Sequence, residues 1–222
     1  MKPQALRIAV SDTQTVSALL DAPPKPIACL VLAHGAGAGM AHAFMAGVAA
    51  GLCERGVAVL RYQFVYMERG SKRPDAPGLA HAAVRAAVDV AAEALPGVPL
   101  FAGGKSFGAR MTSQAQAAAP LPGVRGLVFF GFPLHPAGKP ADTRAAHLGE
   151  VRVPMLFLQG SRDKLAALEL LRPVAAGLGA RAALHVVEEA DHSLHVPVRS
   201  GRTDAQVLAG LLDEVVGWMG RC

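Results

Sequence analysis

Six short apolar runs recur along the chain, at residues 27–33, 57–62, 98–102, 124–131, 155–159 and 182–187. Each is about strand length and lacks the polar alternation of a strand with one wet face, which predicts strands buried on both sides. Between them lie alanine-rich stretches of helical length at 41–55, 79–95, 107–118 and 165–178, and another at 203–219 closes the chain. Strands alternating with helices predict an α/β architecture, a mostly parallel sheet covered by helices on both faces. The runs at 6–10 and 16–20, separated by Ser11-Asp12-Thr13, predict an antiparallel hairpin at one edge. No Ser/Pro-rich linker or charge block divides the 222 residues, so a single domain is expected over 1–222.

In such sheets ligands bind beyond the carboxyl ends of the strands, so chemistry is sought in the residues that follow each run. After the third run comes Gly104-Lys105-Ser106-Phe107-Gly108, and then a helix-like segment. Strand, tight turn and helix make this a nucleophile elbow, with small residues two before and two after the serine to avoid clashes. The same letters end a phosphate-binding loop, but that pattern requires glycine at position 99, where Pro99 stands and offers no N–H. The elbow reading is therefore the one retained.

A serine hydroxyl is a weak nucleophile without a base to take its proton and a carboxylate to orient that base. Asp163 follows the fifth run and His192 follows the sixth, giving the order serine, acid, histidine at three strand ends. His192 is the expected base, and His195, three residues later, is the other candidate. Asp163 has a second possible use as a cap on the helix that follows. The glycine-rich stretch His34-Gly35-Ala36-Gly37-Ala38-Gly39 after the first run is placed to supply one oxyanion N–H, from Ala36 or its neighbour Gly37, with Phe107 supplying the other. His34, Gly37, Arg61, Phe64, Lys105, Phe132 and His135 are the further strand-end candidates for substrate contact. Among them Arg61, Lys105 and His135, with Arg110, are cations that could attract an anionic substrate.

Composition closes off other classes. A balance of 22 basic against 17 acidic residues is only mildly positive, and aromatics are 5%, so neither a nucleic-acid stripe nor a base-stacking platform is expected. Cys29, Cys53 and Cys222 form no disulfide framework and show no metal-ligand spacing, so no metal is expected, and acyl transfer through a serine needs no cofactor. The first residues lack the apolar stretch of a secretory signal, and the glycines and histidines within 27–52 argue against a membrane span. A cytoplasmic protein, monomeric or homodimeric, is expected.

With these motifs placed, the chain resembles a small α/β-hydrolase family that groups bacterial dienelactone-hydrolase-like proteins with testis-expressed protein 30 and the third subunit of a non-specific-lethal chromatin complex. The likeness rests on residues 32–40, Arg61-Tyr62 through Tyr66-Met67, Gly103 through Gly108, Gly131 through Pro136, Gln159 through Asp163, and Asp191-His192. It implies the α/β-hydrolase fold, without a substantial cap domain, and a serine hydrolase triad at Ser106, Asp163 and His192. Residues 164–166 depart from the continuation associated with the family. True dienelactone hydrolases use cysteine as nucleophile, and serine at this elbow sets that activity aside. The expected reaction is hydrolysis of an ester or thioester of a small acyl substrate through an acyl-enzyme. The alternatives are an amidase or peptidase using the same triad, and a catalytically silent scaffold that binds a partner protein.

Overall fold

The computed structural model describes residues 2–222. Eight strands form one sheet: β1 (Gln4–Ser11), β2 (Gln14–Asp21), β3 (Ala28–Ala33), β4 (Val57–Tyr62), β5 (Leu100–Lys105), β6 (Val124–Phe130), β7 (Met155–Gly160) and β8 (Ala182–Val187). Their order across the sheet is β1-β2-β4-β3-β5-β6-β7-β8. The first two make an antiparallel edge hairpin, β2 also pairs antiparallel with β4, and all later neighbours run parallel.

Continuous apolar runs arise because both faces of the central strands are covered. In β3, Cys29, Val31 and Ala33 enter one core while Ala28, Leu30 and Leu32 enter the other, the period of two that a pleated strand imposes. β7 divides the same way, with Met155 and Phe157 on one side and Leu156 and Leu158 on the other. Helices α1 (Ala43–Glu54) and α6 (Asp204–Met219) cover one face. The other carries α2 (Val65–Glu68), α3 (Pro77–Ala94), α4 (Phe107–Ala118) and α5 (Leu168–Gly177).

Boundaries differ from the sequence expectation where side chains intervene. α5 begins at Leu168 and not at 165, because Asp163 captures the preceding turn: its Oδ1 accepts from the Leu165 N–H at 2.7 Å and its carbonyl from Ala166. α6 begins after Thr203, whose side chain forms a reciprocal capping box with Gln206. Between β6 and β7 there is only a short 3-10 helix, Thr143–Glu150, in place of a cap domain. Among the described residues no helix is long and apolar enough to cross a membrane.

Candidate active site

The carboxyl ends of β5, β7 and β8 converge on one point. Ser106 closes β5 and precedes α4 with φ 51° and ψ −111°, a left-handed conformation that costs a non-glycine residue about 1–3 kcal/mol. The turn is tight because α4 approaches β3 closely: a Cβ on Gly108 would lie 2.4 Å from the Ala33 carbonyl oxygen, a backbone atom that cannot step aside. The strain aims the serine hydroxyl outward, toward the loop after β8.

There the hydroxyl meets His192 Nε2 at 2.8 Å, and His192 Nδ1 meets Asp163 Oδ2 at 2.7 Å. Asp163 is buried and its carboxylate also accepts from Leu165 N–H and from the Gln159 side-chain amide. A carboxylate can only accept, so these donors hold it with Oδ2 toward the imidazole, and the imidazole proton is placed on Nδ1. Nε2 is left with its lone pair facing the serine proton. His195 is turned elsewhere: it is exposed and paired with Asp204 at 2.8 Å, which pulls its imidazole upward from the ordinary range.

The two amides that could hold an oxyanion are distinguishable. Gly37 N–H is already committed to the Tyr66 hydroxyl at 3.1 Å, whereas no hydrogen bond among the described residues uses Ala36 N–H. Phe107 is the first residue of α4, where backbone N–H groups have no partner within the helix and the dipole is positive. Ala36 and Phe107 are therefore the free pair, and Gly37 serves to fix the loop.

A family profile described as an α/β hydrolase domain matches residues 26–220. The chain belongs to that α/β-hydrolase family. Similar folds among solved structures include a dienelactone hydrolase from Anabaena variabilis, 19% identical with a TM-score of 0.78 over 100% of this chain and 99% of that one. A lidless α/β serine hydrolase from Xanthomonas campestris is 19% identical, TM-score 0.75, covering 98% and 95%. The esterase domain of a Rhodothermus marinus protein is 18% identical, TM-score 0.72, covering 100% and 99%.

In this α/β-hydrolase a cavity of about 400 Å³ opens beside the serine, a size usual for a small-molecule site. Ala36, Lys105, Ser106 and His192 line it, together with Phe44 and Met45 at the start of α1, Leu165 from the acid loop and Ser193. The walls from α1 and residue 193 were not among the sequence candidates. Lys105 reaches into the cavity, donates to the His192 carbonyl and lies 5.8 Å from the centre of the Phe44 ring. Burial pushes its ammonium down to about 8, opposed by the charges of Asp163 and Asp191.

Several expected substrate contacts are structural. Arg61 is buried, bound through Nη2 to Asp21 at 2.8 Å and through Nη1 to the Met40 carbonyl, so it ties β4 to β2 and to the glycine loop. Phe64 and Phe132 are fully buried against other aromatics. His135 is buried and bridges the Pro136 carbonyl and Ala167 N–H, bracing the acid loop. Arg110 does not line the cavity, so of the four cations only Lys105 reaches it. Among the described residues no three His, Cys, Asp or Glu side chains gather as metal ligands.

His34 is fully buried and both of its ring nitrogens are hydrogen-bonded to backbone. Its Nε2 accepts from Phe64 N–H at 3.1 Å and its Nδ1–H donates to the Gly35 carbonyl at 2.8 Å, anchoring the first turn of the glycine-rich loop. A second ring proton would face the Phe64 N–H, and burial pushes this imidazole down to about 4. Unfolded histidine titrates near 6.5, so between these values the unfolded chain binds a proton that the folded one refuses. Stability should thus be lost as pH falls from about 6.5 to 4, by about 3 kcal/mol from this residue. His147, lowered in the same sense by burial, is present in both proteins when wild type and His34→Gln are compared. Denaturant unfolding of the two should show a shallower acid slope for the variant, and identical slopes would contradict the assignment.

Proposed function

We propose that this chain hydrolyses an ester or thioester of a small acyl substrate through an acyl-enzyme on Ser106. The observation that carries the reading is the unbroken hydrogen-bond chain from Ser106 Oγ through His192 to Asp163, at the wall of a cavity bordered by the free Ala36 amide. Ser106 Oγ attacks the carbonyl carbon while its proton passes to His192 Nε2. The resulting oxyanion receives the N–H groups of Ala36 and Phe107, donors fixed by the backbone before the reaction begins. Collapse breaks the bond to the alcohol or thiol, which leaves with the proton from His192. Water then repeats the sequence on the acyl-enzyme and frees the acid and Ser106. Asp163 keeps the imidazole in one tautomer throughout and stabilises its cation.

The cavity wall is mostly small and apolar, with Lys105 and His42 as its basic side chains, which supports a small acyl group, and the short connection in place of a cap supports an open entrance. A silent scaffold would not need the strained serine, the aligned base and the buried acid together. Turnover of p-nitrophenyl acetate and butyrate by the wild type, lost in Ser106→Ala, is the expected result. A folded wild-type protein that turns over neither ester nor the matching thioesters would contradict the reading.

A further inference from the structure

A second cavity, of about 320 Å³, lies between the start of α1 and the start of α6. Phe44 and Ser193 line both it and the cavity beside Ser106, so the two spaces adjoin across those residues. Its remaining wall is largely apolar: Leu194, Val207 and Leu211, which are otherwise buried, together with Leu208 and the small Ala43 and Ala205. The only ionisable groups on it are His195 and Asp204, and these are paired with each other. An anion or cation placed there would find no free countercharge, whereas a hydrocarbon would find a ready wall.

We propose that this second cavity is a substrate subsite that takes the neutral apolar arm of the ester, an alkyl chain, after it has crossed Phe44. The inference rests on the serine-hydrolase reading and adds a substrate class to it. Ser193 follows His192 directly, so the passage begins at the group that moves the proton, and a chain attached to the reacting carbonyl or to its alcohol leads into it. Phe44 is held in place by an edge-on contact with Phe130 at 5.8 Å and makes a fixed sill. Each methylene that enters adds apolar burial, equivalent to at most about a fourfold gain in kcat/KM.

Two series separate the sides of the ester: p-nitrophenyl esters from acetate to decanoate, and acetate esters of alcohols from ethanol to decanol. Ala205→Trp fills the cavity from α6 and Ala43→Leu from α1, both at exposed positions. In the wild type one series should rise with length, and the ratio of octyl-length to acetyl-length or ethyl-length kcat/KM should fall at least tenfold in the filled variants. A length dependence that is the same in wild type and both variants overturns the subsite and leaves the hydrolase reading standing. Binding of decanoate and decanol to the wild type, followed by methyl NMR, needs no turnover. Shifts at Val207, Leu208 and Leu211 that vanish in Ala205→Trp support the subsite even if no ester is hydrolysed. Their absence overturns it.

Discussion

Ser106→Ala, His192→Ala and the double variant should settle at the same residual rate, roughly four to six powers of ten below the wild-type kcat. The reason is the single 2.8 Å bond between Oγ and Nε2. A base with no hydroxyl to deprotonate contributes nothing, and a hydroxyl with no base remains a poor nucleophile, so either loss already removes the joint effect. What survives comes from the oxyanion amides and from substrate positioning, which both variants keep. If the double variant were slower than each single one by the product of their separate losses, the two residues would not be acting as one unit. Steady-state kinetics on p-nitrophenyl butyrate, with folding checked by circular dichroism, reads this directly.

Asp163→Asn should lower kcat by about four powers of ten with little change in fold. The Asp163 carboxylate is ringed by donors: Leu165 N–H on Oδ1, and the Gln159 amide with His192 Nδ1–H on Oδ2. An asparagine has one oxygen to offer. Setting it against Leu165 N–H turns its NH2 toward His192, which must then accept at Nδ1 and carry its proton on Nε2. That proton points at Ser106 and the base is lost; the same NH2 also meets the Gln159 amide, whose Oε1 is held by Phe132 N–H, so the Gln159 side chain has to turn aside. An Asn variant within tenfold of wild type would show that Asp163 does not orient the base.

Much of this arrangement is legible before any coordinates, for a physical reason. Strands buried on both faces must be continuously apolar, so β3 to β7 stand out, whereas β8, expected to be buried likewise, is a half-exposed edge strand; the residues after these strands mark the edge where Ser106, Asp163 and His192 meet. The elbow is legible because sterics restrict the residues around the serine. A position at a strand end does not reveal where its side chain points. Arg61 is taken by Asp21, 40 residues earlier, and His135 by Ala167, 32 residues later, pairings that only the folded chain creates. Phe64 and Phe132 are hydrophobic enough for a cavity wall or a core, and packing decides for the core. Gln159 was within reach, since one amide inside an otherwise apolar run calls for a buried partner, and its partners are Asp163 and Phe132 N–H. Phe44 and Ser193 carried no such signal, because they belong to a helix start and a loop whose approach is set by α1 and α6.

Intact-protein mass spectrometry after treatment with a fluorophosphonate tests the central claim most directly, because the reagent reports an activated serine whatever the natural substrate is. One phosphonyl adduct should form on the wild type, map to Ser106, and be absent from folded Ser106→Ala. A wild-type protein that remains unmodified, or an alanine variant labelled as fast as wild type, would contradict Ser106 as the nucleophile.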